Sequence, residues 1–293
     1  DKLSHMHNYC KGLVDRIVTV DYDAATGGLD LDDLRSKLSP ATAAVYFENP
    51  TYFGVIEAAG DEISAAAREN GALSIVGVDP ISLGVLAPPS RYGADIVCGD
   101  AQSLGVHMLA GTGTCGFIAS HEDQAIMAEY PTLFETMGRT EQPGEWGFGW
   151  ATLDRTSYNQ RDQSKDFTGT STGLWAITAA VYMATLGPRG MQEVDEAIMQ
   201  KSHYTARRLS ALDGVRAPVF ETAFFKEFVV NFDATGQTVS DINKALLGYG
   251  VFGGKDLSAE VPALGQSALY CVTEVTSLAD IERLVGALEE VLS

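Results

Sequence analysis

The sequence predicts an α/β fold, with a large domain built on a mainly parallel sheet and a smaller C-terminal α+β domain. Three observations carry this. Strand and helix patterns alternate through the first half of the chain, as in a sheet with helices on its faces. From about residue 210 the pattern changes to shorter strands and amphipathic helices. The 293 residues are long enough to bury a substantial core. The expected boundaries are 1–190 for the large domain and 191–293 for a linking helix and the small domain.

The elements follow in order. "RIVTVDY" reads as a strand and "LDLDDLRSKL" as a short amphipathic helix. "AAVYFEN" is the next strand, ended by Asn49-Pro50. "DEISAAARENG" has an acidic first turn and a terminal glycine, the end signals of a helix. "ALSIVGVD" reads as a buried strand ending at Asp79-Pro80, and "ADIVCGD" and "CGFIAS" complete the set. Residues 130–167 show no clear period and are expected to form a long surface or interface excursion. "LWAITAAVYMATLG" is almost wholly apolar and is expected to be a buried helix. Beyond Pro188, Val194, Ile198, Ala206 and Leu209 mark one face of a long helix. "EFVVNF", "VSDINKALLGYG" and "ALYCVT" suggest the small domain. It closes with "LADIERLVGALEEVL", where Ser277 and Asp280 stand at capping-box spacing. The first residues enter an α/β pattern already under way, so further chain is expected upstream or from elsewhere.

Composition narrows the function. Twenty basic against 39 acidic residues give a net charge of −19, a surface that repels nucleic acid and anionic lipid. No apolar run is long enough to span a bilayer. Cys10, Cys98, Cys115 and Cys271 are not spaced as a metal clip, and His5 and His7 have no further ligand types nearby, so no metal is expected. The cysteines read as small core residues in a reducing, cytoplasmic compartment. His107, His121 and His203 are lone histidines, the last placed on the polar side of its helix.

Two positions carry the chemical argument. Asp79 ends a strand, and Gln102 stands 23 residues on, in the turn "GDAQSLG" after another strand. In pyridoxal-phosphate enzymes of the aspartate aminotransferase fold (the type I transferase fold), a strand-end Asp pairs with the protonated ring nitrogen and keeps the cofactor an electron sink. A lysine on a later turn forms the Schiff base. A carboxamide forms no imine with an aldehyde, so Gln102 cannot hold that cofactor covalently. The next lysine, Lys165, lies in the polar excursion and reads as a solvated or phosphate-neighbouring cation. The plainer readings stay open: Asp79 as a turn cap, Gln102 and Ser103 as a polar turn.

"FTGTSTG" is the best candidate for binding an anion. Gly169 lets backbone amides approach, Thr168, Thr170, Ser171 and Thr172 offer hydroxyls, and a helix follows. Simple helix capping is the alternative.

Over nearly its whole length the chain resembles the alpha subunit (subunit 1) of the glycine-cleavage P-protein, glycine dehydrogenase (decarboxylating). The resemblance rests on "AAVYFENPTYFGVIE", "VGVDPISLGVLAPPSRYGADIVCGDAQSLG", "AAVYMATLGPRGMQEV", "HYTARRLSAL", "FFKEFVV" and "ALYCVTEV", all in family order. It implies a two-subunit enzyme in which a homologous beta subunit carries the Schiff-base lysine and pyridoxal 5′-phosphate. The alpha subunit has a Gln turn in the lysine's place, as at Gln102, and is inactive alone. Asp79 is then a vestigial partner of the ring nitrogen. Thr168, Gly169, Thr170 and Ser171 are implied to contact the phosphate of the partner's cofactor. The implied reaction releases CO2 from glycine, a small amino-acid substrate, and passes the aminomethyl group to lipoylated H-protein. Where the family usually has "ATSNICTNQ", this chain has "SKDFTGTST", with Thr170 kept in register and Arg155 and Arg161 remaining upstream. The departure leaves two other readings: a paralogous pyridoxal-phosphate complex acting on another amino acid, and a non-catalytic scaffold or regulatory pseudoenzyme.

Overall fold

The computed structural model describes residues 2–106, 115–130, 134–151, 162 and 172–293. The chain divides into two compact units, residues 1–94 with 188–293, and residues 95–187.

In the first unit, helix α1 (Lys2–Tyr9) is followed by a turn closed by a Lys11–Val14 bridge and a stretch without regular structure up to residue 21. The strand expected at "RIVTVDY" does not form; Tyr22 makes a single bridge to Leu29. β-Propensity alone does not make a strand when no neighbouring strand pairs with it. Helix α2 (Leu31–Lys37) is capped by Asp30, which accepts from the Asp32 and Asp33 amides at 3.0 Å. Strand β1 (Ala44–Glu48) buries Val45 and Phe47 by simple alternation.

Helix α3 (Gly60–Glu69) lies between β1 and strand β2 (Leu73–Val78), and the two strands pair in parallel, Ala44 opposite Leu73 and Glu48 opposite Gly77. α3 buries Ile63 and Ala67, and its Ser64 hydroxyl bonds that of Ser74 on β2 at 2.8 Å. Between β1 and α3 the Asn49-Pro50 peptide is cis. The Asn49 side chain brackets the Glu57 backbone, accepting from its N–H at 3.1 Å and donating to its carbonyl at 3.2 Å. The Glu57 carboxylate in turn accepts from the Leu29 and Ala59 amides at 2.7 and 2.9 Å.

The second unit holds strands β3 (Ile96–Asp100) and β4 (Gly116–Ser120), which pair antiparallel, and a short helix α4 (Gln124–Met127). The excursion, in which the sequence shows no clear period, contains a hairpin, β5 (Phe134–Arg139) and β6 (Trp146–Ala151), with Arg139 opposite Trp146. The Arg139 guanidinium lies 5.5 Å from the Trp146 ring centre, a cation–π contact at the hairpin end.

Helix α5 (Gly173–Leu209) breaks at Gly187, whose φ of 62° and ψ of 177° are not helical, immediately before Pro188. Its first part corrects an expectation. Leu174, Ile177 and Val181 are 80%, 61% and 59% exposed, a continuous apolar stripe rather than a buried helix. Apolar content requires a cover, and the described residues of the chain do not supply it there.

The part from 188 to 209 buries Ile198, Ala206 and Leu209 of the expected face and half-buries Val194. It packs in the first unit with strands β7 (Glu227–Asn231), β8 (Lys255–Asp256) and β9 (Ser267–Cys271), ordered β7-β9-β8 and antiparallel throughout. Helices α6 (Val239–Leu246) and α7 (Leu278–Leu292) complete this α+β end. Phe228, Val230, Phe232, Ile242, Val285 and Leu288 form its core. Ser277 and Asp280 make the full reciprocal capping box.

Candidate functional site

Asp79 stands where β2 ends. Pro80 opens a short 3-10 turn over Pro80–Gly84, and the Asp79 carboxylate accepts from the Ile81 amide at 3.2 Å. The Ser82 hydroxyl donates to the Asp79 carbonyl at 2.7 Å. So the capping reading of Asp79 holds. A second partner was not foreseen: the ammonium of Lys226 forms an ion pair with the Asp79 Oδ2 atom. Both side chains are largely withdrawn from solvent, at 18% and 21% exposure.

Lys226 is delivered by a pinned backbone. The Phe225 N–H donates to the Gly54 carbonyl at 3.0 Å, and the Val272 N–H donates to the Lys226 carbonyl at 3.0 Å. The Ser202 hydroxyl, on α5, donates to the Phe225 carbonyl at 2.6 Å. His203 stacks on Phe224 with ring centres 4.0 Å apart, and its Nε2 lies 3.0 Å from the Phe224 carbonyl. That is not the polar-face histidine expected from the sequence.

The Glu227 carboxylate lies 3.9 Å from the same ammonium and 3.4 Å from the Cys271 thiol. Burial works against the Lys226 charge, but the Asp79 and Glu227 carboxylates outweigh it and hold its pKa above the ordinary lysine range. Burial lifts the Glu227 carboxyl above its usual range, with Lys226 pulling the other way. Asp195, fully buried on α5, is pushed up to about 7, first by desolvation and then by the nearby Asp79 and Glu274 charges; the Gly84 amide and Lys226 offset this in part.

Gln102 lies in the second unit, directly after β3. Its N–H donates to Asp100 Oδ1 at 3.0 Å, and neighbouring Ala101 is buried, with its N–H donating to the Cys115 carbonyl at 2.8 Å. The Gln102 side chain is exposed. Thr168, Gly169, Thr170 and Ser171 lie outside the described residues, as do His107, Arg155, Arg161 and Lys165. The Thr172 carbonyl, just beyond, accepts from the Trp175 and Ala176 amides at 2.9 and 3.0 Å and starts α5. Of the four free cysteines, Cys115 is buried, Cys10 and Cys98 half-buried, and Cys271 exposed. Among the described residues no group of three His, Cys, Asp or Glu could hold a metal, and no helix is long and apolar enough to cross a membrane.

A family model described as glycine cleavage system P-protein matches residues 1–286. The chain belongs to that family. It is 35% identical over 278 residues to the probable glycine dehydrogenase (decarboxylating) subunit 1 of Staphylothermus marinus, covering 95% of this chain and 59% of that protein. The chain thus spans about three-fifths of the length of the curated relatives it matches. It is also similar to a crystal structure of glycine decarboxylase (P-protein) of the glycine cleavage system in inhibitor-bound form. There the TM-score is 0.85 and the identity 29%, over 99% of this chain and 62% of the other. A NifS-like protein from Rickettsia africae gives a TM-score of 0.69 at 14% identity, covering 99% of this chain and 72% of that one, which bears on the fold alone.

This P-protein family member therefore has the aspartate aminotransferase-like, type I pyridoxal-phosphate-dependent fold. At the two positions the sequence singled out, the residues fit neither a covalent anchor for such a cofactor nor a free partner for its ring nitrogen. Gln102 has no amine to offer, and the Asp79 carboxylate is engaged by Lys226. Lys226 itself escaped the sequence reading. Its signal was a lone lysine in the otherwise apolar run "FFKEFVV", followed at once by a carboxylate.

Proposed function

We propose that the chain is the alpha-type subunit of a pyridoxal-phosphate-dependent glycine decarboxylase, working in the cytoplasm beside a homologous beta subunit. The observation that carries this is Gln102 on the turn after β3, a position where a family of this fold needs a lysine. The names of the relatives, which call them subunit 1, support a second subunit. The four free cysteines suit a reducing compartment. In this reading the beta subunit holds pyridoxal 5′-phosphate through its own lysine, and the bound cofactor supplies the electron sink for loss of CO2 from glycine. The aminomethyl group then passes to lipoylated H-protein.

The tasks of this chain are to bind and to position. The exposed stripe of Leu174, Ile177 and Val181 is the surface offered to the beta subunit. Thr168, Gly169, Thr170 and Ser171 approach the phosphate of the partner's cofactor, Thr170 first among them. Asp79 is the remnant of a second, equivalent site.

The deciding experiment is co-expression with the lysine-bearing homologue from the same genome, followed by a glycine–bicarbonate exchange assay. Exchange is expected from the complex and not from either chain alone. Turnover by this chain alone, with cofactor bound as an imine, would overturn the reading. In the assembled complex Thr170→Ala should weaken retention of pyridoxal phosphate on gel filtration; unchanged retention would remove Thr170 from this role.

A further inference from the structure

We propose that Lys226 closes the cofactor position in this chain's own half: its ammonium sits on Asp79 as a built-in substitute for a protonated ring nitrogen. The inference rests on the proposed reading of Asp79 as a vestigial ring-nitrogen partner, and it adds the device that keeps the vestige shut.

Three observations support it. The first is charge. A type I cofactor presents a cationic nitrogen to its strand-end carboxylate, and here a cation from the same chain already holds that carboxylate. Two cations cannot share one largely buried acid without repelling each other. The second is rigidity. Lys226 does not reach Asp79 from a loose loop, because the Gly54, Ser202 and Val272 hydrogen bonds fix the backbone on either side of it. The third is chemical state. The neighbouring carboxylates hold the amine in its charged form, and its ion pair with Asp79 would have to break before it could attack an aldehyde, which sets Lys226 apart from a free Schiff-base lysine. A half-site that had merely lost its lysine would leave Asp79 as an uncompensated buried charge, a costly arrangement. Lys226 removes that cost and the cofactor's anchor together.

The test uses pyridoxamine 5′-phosphate, which carries the same ring and phosphate but no aldehyde, so surface lysines cannot trap it as imines. Its binding to the full chain is measured by equilibrium dialysis. The unaltered chain should show no saturable binding at millimolar concentration. Lys226→Met should bind at least about tenfold more tightly, and adding Asp79→Asn should return binding to the starting level. If Lys226→Met binds no better than the unaltered chain, closure by Lys226 is wrong. If it binds better but Asp79→Asn does not reverse the gain, the reading of Asp79 is wrong instead. The subunit reading is judged separately, by the exchange assay.

A second measurement needs no variant. Acylation of lysines read by mass spectrometry should find Lys226 protected in the unaltered chain, and still protected when pyridoxamine phosphate is added. Reactivity that rises on addition to the level of exposed Lys255 would mean the ring displaces the ammonium, and the proposal falls.

Discussion

Gly54 and Glu227 lie backbone against backbone: a Cβ at Gly54 would fall 1.8 Å from the Glu227 carbonyl oxygen. Gly54 also has a φ of 81°, a left-handed conformation that side chains resist. The contact joins the turn after the cis Asn49-Pro50 peptide to the start of β7, and the Phe225 N–H to Gly54 carbonyl bond runs beside it.

Gly54→Ala therefore combines a backbone clash with positive-φ strain. It should destabilise the chain by on the order of 3 kcal/mol. Urea denaturation followed by circular dichroism checks this. A change within experimental error would mean that the two segments can separate without loss, and that this contact does not anchor Lys226.

Asp195 sets a pH dependence whose sign can be worked out. Burial raises its folded pKa to about 7 from an ordinary 3.8, ahead of the Asp79 and Glu274 charges that add to the rise and Lys226, which opposes it. The folded state thus binds this proton more tightly than the unfolded chain does. The resulting stability is complete below pH 3.8 and is lost as the pH climbs through about 7. Asp195→Asn keeps the shape and removes the titration. It should leave stability nearly unchanged near about pH 4 and raise it by on the order of 2–4 kcal/mol near about pH 8. Equal slopes of stability against pH for the two proteins would remove Asp195 from this role.

The α7 capping box is a local test of the small domain. Ser277 accepts from the Asp280 amide at 3.1 Å while Asp280 accepts from the Ser277 amide at 3.0 Å. The α7 residues Ile281, Val285 and Leu288 belong to the core of that region. Ser277→Ala should cost about 1 kcal/mol, and Ser277→Asp should recover most of it. If Ser277→Asp recovers nothing, the cap is not the source of the loss.

Where local pattern and tertiary context agree, the elements were legible. β1, α3 and β2 carry apolar periodicity, and α3 also has an acidic first turn and a following glycine at positive φ. "RIVTVDY" has strand chemistry but no paired neighbour, which a single sequence cannot supply. The hairpin of β5 and β6 was hidden because glycines stand between its large residues. Yet "WGFGW" has a period of two, and that was the available signal. At the candidate site, Gln102 was legible because a carboxamide in that turn has a definite chemical meaning. Lys226 was not, because its importance comes from Asp79, 147 positions away in the chain. The same limit applies to His203, whose stacking partner Phe224 lies on another segment.

The exposed helix separates a missing cover from a surface with no function. Leu174, Ile177 and Val181 fall on one stripe at helical spacing, and Met183 is also exposed. Were the stripe idle, charges placed there would be neutral in every assay. As the surface offered to the lysine-bearing subunit, it should tolerate charge in the isolated chain and reject it in the complex, where a buried unpaired carboxylate is costly. The double change Ile177→Glu with Val181→Glu should leave the melting temperature of the chain alone within about 2 °C, since neither side chain packs in the core. The same change should abolish co-purification with the beta-type homologue. Ile177→Leu, which keeps the apolar surface, should restore binding when Val181 is also restored. Retained association of the doubly charged chain would place the partner elsewhere, and loss of the isolated chain's stability would show that the stripe already belongs to its own core.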